Sequence, residues 1–296
     1  MSAWDEPYMQ SPLKIGLTVL LIVVFIVVIV VVVKMQQAKA NNEPMLIENP
    51  VSPVNHGSIS GSKAPLSSSG LEYTYNMWVN IRDWDQGYGK FKCIVHRSSK
   101  DPLAGPESAK APSNPSIWLY PEENKLYVRV STLLNASVDR MDRSVYPEYD
   151  IAASGGKKYT VVNPYYYANN KQSTLTKDEY QNTTYACDVA NIPLQRWVQI
   201  SVVMWNRTLD VYVNGKLVRS CILPGVPLHK ASLLNKIYVG GRRQNTFNGY
   251  ISRLKYFNRA CTAEEIYNMY LKGPLSAAFW WEALKIRAKL TLDMDA

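Results

Sequence analysis

The sequence predicts an all-β sandwich with one short C-terminal helix, preceded by a single apolar N-terminal helix. The main evidence is the stretch WVQISVVMWNRTLDVYVNGKLVR at residues 197–219, in which apolar and polar residues alternate on both sides of Asn214-Gly215. Asn and Gly tolerate the positive φ that a two-residue type I′ turn requires, so a β-hairpin is predicted there. The second observation is a long run without charges at residues 15–33.

The uncharged run, IGLTVLLIVVFIVVIVVVV, follows a polar tail at residues 1–14. At about 1.5 Å per residue its helix would span roughly 28 Å, close to the hydrocarbon thickness of a bilayer. A single transmembrane helix is therefore predicted. A cleaved signal peptide is the alternative, because Ala38-Lys39-Ala40 resembles a cleavage site, but the length of the run and the partly acidic tail favour a retained anchor. The few flanking lysines leave the orientation open.

The rest of the chain divides into a linker, a domain and a tail. Residues 34–70 are rich in Pro, Ser, Asn and Gly and are predicted to form a flexible linker. The sandwich is predicted over residues 71–273, with an insertion at 131–186 that lacks strand alternation. Such an insertion either packs over the sandwich or forms a contact surface. In the tail, residues 274–296, an apolar cluster precedes an apolar and basic alternation at 284–292 that predicts an amphipathic strand.

Three local patterns refine the domain. Leu126, Val128 and Val130 alternate with polar residues and are predicted to face inward. Ile251 and Leu254 lie three apart in an otherwise alternating strand, which predicts a β-bulge between them. The sequence Thr262-Ala263-Glu264-Glu265 is a capping box, so a short helix is expected to begin after Thr262 and to end at Gly273-Pro274.

The four cysteines do not form a metal-binding pattern. Cys93, Cys187, Cys221 and Cys261 contain no C-x-x-C pair, and the three histidines are far apart in sequence, so no metal site is predicted. Cys187 and Cys221 bracket the central strands and are expected to lie close together. They would form a disulfide in an oxidising compartment and remain adjacent thiols in a reducing one.

Charge and glycosylation triplets limit the choice of partners. The net charge of +9 is spread along the chain without a basic run, so nucleic acid is not an expected partner. Asn135, Asn182 and Asn206 each begin a glycosylation triplet, which would be used only if the domain faces a lumen.

Three pieces of the sequence resemble the laminin-G-like branch of the concanavalin A-like lectin/glucanase fold: NIPLQRWVQISVV, LDVYVNGKLVRSC and FNGYISRLKYFNRACTAEEIYNMY. The resemblance implies a jelly-roll sandwich over residues 71–273. It also implies that Cys261, at a position usually aliphatic in that family, is a buried thiol. The apolar span, the linker and the segment DWDQGYGKFKCIVHR together resemble membrane-anchored virion proteins of large eukaryotic DNA viruses. That resemblance implies a single-pass protein of a virion membrane.

Catalysis is not expected. Glucanases of this fold carry a Glu-x-Asp-x-(x)-Glu strand, whose two glutamates act as nucleophile and acid/base. The nearest approach here, EYDIAA at residues 148–153, has no second glutamate. No cofactor is expected either, and nothing in the sequence supports calcium.

Two functions remain open. In the first, the domain is a structural module that joins a bilayer, through residues 15–33, to a protein shell or neighbouring capsid proteins. In the second, it is a lectin whose exposed aromatic and acidic side chains bind glycans. The candidate binding residues are Asp83, Trp84, Asp85, Tyr165, Tyr166 and Tyr167. For each of them the alternative is a role in the core or in a turn.

Overall fold

The computed structural model describes residues 12–54, 57–67, 70–102, 105, 112–133, 148–152, 158–162, 176–177, 183–223, 226–241, 245–276 and 279. The chain forms two compact units, Met1–Asn42 and Glu43–Ala296. The described part of the first unit is one helix, and the described part of the second unit is built of strands with one further α-helix.

Helix α1 (Pro12–Asn42) contains the predicted span. Its apolar side chains lie on all sides and are about half exposed, a distribution that suits lipid rather than the surface of a soluble domain. By length and composition the helix could cross a membrane, and a signal sequence would meet the same test. The helix continues to Asn42, beyond the predicted end of the span, because the Lys, Met, Gln and Ala residues that follow the apolar run are good helix formers.

The second unit contains two large antiparallel sheets and one separate strand pair. The six-stranded sheet has the order β1-β17-β3-β12-β13-β14, and the larger sheet has the order β2-β16-β4-β5-β6-β10-β9, with β11 and β15 also paired to β6. Among the described strands, β7 and β8 form a separate pair with each other. The strands are β1 (Met45–Ile47), β2 (Ser58–Ser60), β3 (Glu72–Asp83), β4 (Lys92–Ser98), β5 (Ser113–Leu119), β6 (Lys125–Leu133), β7 (Glu148–Ala152), β8 (Lys158–Val162), β9 (Thr176–Lys177), β10 (Thr183–Ala186), β11 (Val189–Ala190), β12 (Trp197–Trp205), β13 (Thr208–Val213), β14 (Lys216–Ile222), β15 (Val226–Pro227), β16 (Lys236–Val239) and β17 (Asn248–Phe257).

The two large sheets enclose the main core, which confirms the predicted sandwich. The inward residues of β6, Leu126, Val128 and Val130, are fully buried there, as the alternation predicted. The same holds for every second residue of β12 from Val198 to Met204. One continuous apolar cluster therefore joins the two sheets, as expected when each sheet has one hydrophobic face.

The predicted turn and bulge are both confirmed. Asn214 and Gly215 have φ values of 50° and 76°, as a type I′ turn requires, and Val213 pairs with Lys216 across the turn. In β17 the pairing with β3 shifts between Ser252 and Lys255, and Arg253 adopts a positive φ of 47°. The bulge lets both Ile251 and Leu254 reach the core, although they lie three residues apart.

The structure differs from the predicted flexible linker at residues 34–70. Strand β1 pairs with β17, and β2 pairs with β16. Glu43 forms ion pairs with Lys255 at 3.3 Å and with Arg259 at 3.1 Å. Three-residue strands are too short to show a period of two, and they are held by partners distant in sequence. Local composition therefore could not reveal them.

The insertion predicted at residues 131–186 also contains strands. Strand β6 runs to Leu133, and β10 pairs with it and extends the larger sheet. In β10 the sequence TTYA has little contrast between apolar and polar residues, so the strand could not be predicted from alternation. The amphipathic strand predicted at residues 284–292 lies outside the described residues.

Helix α2 (Ala263–Leu271) covers part of the outer face of the six-stranded sheet. Its capping box is confirmed, because Thr262 Oγ1 accepts from Glu265 N at 3.2 Å and Glu265 Oε2 accepts from Thr262 N at 2.9 Å. Ile266 is fully buried and packs with Val203, Tyr212, Phe257 and Cys261 in a second apolar cluster. The outer face of this sheet therefore supports a second apolar core.

Polar residues under α2 connect the helix to the sheet. Gln199 Nε2 donates to Asn76 Oδ1 at 2.7 Å and to the carbonyl of Ile266 at 3.1 Å. Ser201 Oγ also donates to Asn76 Oδ1, at 2.8 Å. These bonds to one another and to the helix backbone offset the burial of the three side chains, although Gln199 Oε1 has no hydrogen-bond partner within the described structure.

Cys187 and Cys221, the pair expected to be close, are joined by a disulfide across 34 residues of sequence. Both residues are fully buried in the main core. The other two cysteines, Cys93 and Cys261, are buried free thiols, as the family resemblance implied for Cys261.

The hairpin turn gives a test of the fold. Replacing Gly215 by Ala should lower the free energy of unfolding by about 2–4 kcal/mol, because alanine resists a positive φ and because its Cβ would be crowded by neighbouring side chains. The added Cβ would lie 2.9 Å from the Tyr267 ring and 3.3 Å from Tyr270 Cβ. Gly89→Ala is the matched control, since Gly89 has a φ of 73° but open space around its Cβ position. It should cost only about 1 kcal/mol. Denaturant unfolding that gives equal losses for both variants would contradict the packing of α2 on the turn.

Candidate functional site: an aromatic platform on the six-stranded sheet

The candidate site lies on the outer face of the six-stranded sheet, beside α2. Alternation along β3 places Met77, Val79 and Ile81 in the main core. The intervening residues Trp78 and Asn80 therefore occupy the opposite face, and Arg82 continues that row at the end of the strand. Strand β3 is paired on both sides, with β17 and with β12, so its outer residues have side-chain neighbours on two strands.

Two aromatic rings lie on either side of Asn80. The register pairs Asn80 with Tyr250 of β17 and with Trp197 of β12, so the three residues form one row across the sheet. The Tyr250 and Trp197 ring centroids are 6.4 Å apart, with 32° between the ring planes. The Arg82 guanidinium lies 4.8 Å from the Tyr250 centroid and donates to the Tyr250 hydroxyl at 3.3 Å. A cation over a ring face is a favourable arrangement.

Helix α2 extends the aromatic surface. Trp78 stacks on Tyr270 with centroids 5.7 Å apart and only 16° between planes, and Tyr267 lies 6.1 Å from Tyr270. We call the set Tyr250, Trp197, Trp78, Tyr270 and Tyr267 the aromatic platform. An open depression of about 350 Å³ lies on it, lined by Trp78, Arg196, Trp197, Asn214, Tyr270 and Leu271.

The chemistry of the platform suits binding. Rigid aromatic rings give a large contact area at a small entropy cost, and they are enriched with Arg at interface hot spots. Leu271 is 63% exposed and Tyr267 is 46% exposed, so apolar surface here is open to a partner. Among the described residues that line the depression, the one charged side chain is Arg196, and Arg82 borders the platform. The site therefore favours a ligand with apolar and acidic groups.

Two of the predicted binding residues make contacts that stabilise the fold. Asp83 accepts a hydrogen bond from Asn248 Nδ2 at the end of the sheet. Trp84 Nε1 donates to the Pro121 carbonyl at 3.2 Å, and the Trp84 ring packs against the main core, with Lys92 Nζ 4.7 Å from its centroid. Asp85 is exposed. Within the described part of the chain, no three His, Cys, Asp or Glu side chains are grouped to hold a metal ion.

Most of the other candidate binding and glycosylation residues lie outside the described part of the chain. Tyr165, Tyr166, Tyr167, Asn135 and Asn182 lie outside the described residues. Asn206 is exposed at the turn between β12 and β13, where it has a φ of 53°.

The sequence did not predict that these aromatic residues lie together, although the strand positions of some of them were recognisable. The β3 alternation placed Trp78 opposite the core residues, and Trp197 opens the strand that carries the inward Val198. Tyr250 could not be assigned to the same row, because the register of β17 shifts between Asn248 and Gly249. A β-bulge changes which side chains share a face, and its effect is fixed only by the pairing.

A buried Ser–His pair lies on the larger sheet, on the face opposite the main core. His96 Nδ1 is 2.9 Å from Ser116 Oγ and accepts from Trp118 Nε1 at 3.4 Å. Burial lowers the pKa of His96 to about 3, so the imidazole is neutral and a weak base near pH 7. Both residues are almost fully buried, and no described carboxylate bonds to His96 Nε2. This arrangement lacks the third member and the access of a catalytic triad.

A closed ionic network occupies the same face. Arg129 is paired with Asp188 and donates to the Tyr120 hydroxyl at 3.1 Å. Tyr120 in turn donates to Asp188 Oδ2 at 2.6 Å, and the amide of Val128 donates to Asp188 Oδ1 at 3.1 Å. Burial opposes the charge on Arg129, but Asp188 and the nearby tyrosines outweigh it and raise the arginine pKa. The hydrogen bonds and the ion pair occupy the Asp188 carboxylate, so the network stabilises the fold and does not present a free carboxylate to a substrate.

Comparison with known proteins fits this architecture. The family model described as the Concanavalin A-like lectin/glucanases superfamily matches residues 116–267, just over half of the chain. The chain belongs to this superfamily, in agreement with the resemblance of its hairpin and C-terminal segments. No curated protein matches the sequence significantly.

Solved structures with some likeness include binding domains of botulinum neurotoxins. The binding domain of botulinum neurotoxin D/C, in a complex with sialylT, is 11% identical with a TM-score of 0.39, over 68% of this chain and 35% of that one. The serotype G binding domain is 13% identical with a TM-score of 0.35, over 68% and 36% of the two chains. The chain thus covers little more than a third of their length, and likenesses this distant carry no argument about its ligand.

The buried histidine gives a test of the larger sheet. An unfolded histidine binds a proton near pH 6.5, whereas folded His96 does so near pH 3. The unfolded state therefore binds more protons between these values. We expect stability to fall as pH decreases from 6.5 towards 3, with His96 contributing up to about 1.4 kcal/mol per pH unit.

The variant His96→Asn should remove this contribution. Carboxylates titrate in both proteins, so the difference between their pH-dependent unfolding curves isolates His96. His229→Asn is the control, because His229 is only partly buried. It should keep most of the wild-type slope. An unchanged slope in His96→Asn would mean that His96 is not buried and neutral.

Proposed function

We propose that this protein is a membrane-anchored, non-catalytic binding module that joins a bilayer to a protein surface. The observation that carries the proposal is the aromatic platform, in which Tyr267 is exposed, Trp197, Tyr250 and Tyr270 are half-buried, and Trp78 is buried against Tyr270. The exposed Arg82 and Arg196 border it. Helix α1 supplies the anchor, since it is long and apolar enough to cross a bilayer. The finer assignment, a minor capsid protein that ties a virion membrane to its shell, is supported by the sequence resemblance alone.

Several observations support a non-catalytic role. The sequence lacks the second glutamate of the glucanase strand. The Ser116–His96 pair is buried, with a weakly basic imidazole, and Asp188 is held by Arg129. In the described part of the chain, these polar groups are engaged in the fold rather than presented to a substrate.

A protein partner is favoured over a glycan by the composition of the platform. Its border is made of arginines and the exposed side chain of Leu271, which suit a surface with acidic and apolar groups. A lectin remains the second candidate. The row Tyr250, Asn80 and Trp197 favours it, because it combines two ring faces with an amide that could bond a sugar hydroxyl.

The experiment compares two tryptophans of the same strand. The full-length protein is expressed in its native membranes or particles, and its protein partners are recovered after mild chemical cross-linking. Trp197→Ala should reduce recovery of the partner about tenfold, as expected for loss of an aromatic hot spot. Trp205→Ala is the matched control, since Trp205 is 58% exposed at the other end of β12, outside the platform. It should leave recovery unchanged.

Two results would contradict the proposal. Equal loss of the partner in both variants would show that the platform is not the contact. Recovery of the protein without any protein partner, together with glycan-array binding that Trp197→Ala abolishes, would replace the tether with the lectin.

A further inference from the structure

One covalent bond in the domain indicates the compartment that the domain occupies. Cys187 and Cys221 form a disulfide across 34 residues of sequence, and both residues are fully buried in the main core. Such bonds persist in oxidising compartments, including the lumen of the secretory pathway and the cell exterior, and are rare in a reducing cytosol. The disulfide therefore favours a domain on the lumenal or exterior side of a membrane.

A glycosylation triplet lies beside this disulfide. Asn206 and Arg207 connect β12 to β13, and Thr208 is the first residue of β13. The next residue, Leu209, pairs with Cys221 across the sheet. Asn206 is exposed and has a positive φ of 53°. The triplet is thus at the surface of the folded domain, as attachment of a bulky sugar chain requires.

The turn that carries the triplet is held by the fold. Arg207 Nε and Nη2 donate to the Leu223 carbonyl at 3.0 Å and 2.7 Å, and the Leu223 amide donates to the Arg207 carbonyl at 2.7 Å. The Asn206 backbone amide donates to the Leu71 carbonyl at 3.1 Å. These bonds fix the turn through its backbone and through the Arg207 side chain, and they do not use the side-chain amide of Asn206.

Two exposed apolar side chains adjoin the triplet. The register pairs Trp205 with Thr208 and Thr208 with Ile222, so the three residues form one row across β12, β13 and β14. Their neighbours Met204 and Cys221 face the main core, which places Trp205 and Ile222 on the outer face. Trp205 is 58% exposed and Ile222 is 67% exposed. The apolar face of a sugar ring packs favourably on such side chains, so a glycan at the adjacent turn would cover them.

We propose that Asn206 is N-glycosylated and that the domain faces the lumenal or exterior side of the membrane. The donor is an oligosaccharide linked to a polyprenyl diphosphate. Asn206 Nδ2 forms a bond to the anomeric carbon of the first sugar and loses one proton. The bond between that carbon and the diphosphate oxygen breaks, and the polyprenyl diphosphate leaves with the electron pair. The first sugar of the attached chain then packs against Trp205 and Ile222.

The charges that flank the apolar run are compatible with this orientation. Lys14 precedes the run, and Lys34 and Lys39 follow it. This excess of one lysine is small, and long domains are translocated largely regardless of such counts. A cleaved signal sequence would deliver the domain to the same side as a retained anchor. The inference therefore holds for either fate of α1, and it does not depend on the function proposed for the platform.

The test is peptide mapping of the full-length protein expressed in eukaryotic cells. Peptide N-glycosidase in heavy-oxygen water converts a glycosylated Asn206 into a labelled aspartate, which separates it from the triplets at Asn135 and Asn182. Thr208→Ala removes the hydroxyl that the triplet requires and should lower labelling of Asn206 at least about tenfold. Thr208→Ser is the matched control, because it keeps a hydroxyl and should retain labelling. Mapping of the Cys187–Cys221 disulfide establishes that each variant is folded. Unlabelled Asn206 in the wild-type protein would overturn the site.

A second measurement locates the domain without relying on the glycan. In sealed membrane vesicles from the same cells, added protease should leave the unit Glu43–Ala296 intact until detergent opens the vesicles. Digestion of this unit in sealed vesicles would overturn the orientation. Recovery of Cys187 and Cys221 as free thiols, after cells are lysed with a thiol-blocking reagent, would overturn it as well.

The contact between the sugar and the sheet has its own readout. Enzymatic removal of the glycan should raise hydroxyl-radical oxidation of Trp205 about twofold or more, because the ring loses its cover. Trp197, at the other end of β12, should be oxidised to the same extent before and after removal. Equal oxidation of Trp205 in the two states would contradict the packing of the glycan on this row.

Discussion

The double pairing of β3 is the constraint on which the rest of the domain depends. Its register with β12 and β17 is fixed along most of its length. Because side chains alternate, the same register that buries Tyr75 and Met77 in the main core must place Trp78 and Asn80 on the opposite face. A one-residue slip would exchange the two faces and remove both the core and the platform. Stability of the sandwich and geometry of the candidate site therefore have one cause.

Local patterns determined the elements that are long and regular. The Asn214-Gly215 turn, the inward face of β6 and the capping box at Thr262 each involve residues close in sequence, and each was predicted. Strands β1 and β2 were not, because their pairing partners lie about 210 and about 180 residues away in the chain. The platform was only partly visible for the same reason. Tyr250 joins Trp197 through a register shift and through pairing across β3, which no local window contains.

The polar residues of the two sheets differ in burial and in hydrogen bonding. On the larger sheet, Arg129, Asp188, Tyr120 and the His96–Ser116 pair are buried and bonded mainly to one another. On the six-stranded sheet, the buried side chains of Asn76, Gln199 and Ser201 lie under α2, whereas Trp197 and Tyr250 are half-buried and the neighbouring Arg82 and Arg196 are exposed. A binding role follows from this division, since the exposed chemistry is that of an interface and the buried chemistry stabilises the fold.

The most direct test of this account is oxidative footprinting of the protein in its native membrane or particle, compared with the protein extracted in detergent. Engagement of the platform predicts that Trp197 and Tyr250 become protected from oxidation in the native assembly, while Trp205, exposed on the same strand as Trp197, is modified equally in both states. Equal modification of Trp197 and Tyr250 in the two states would show that the platform contacts no partner, and the central claim would be wrong.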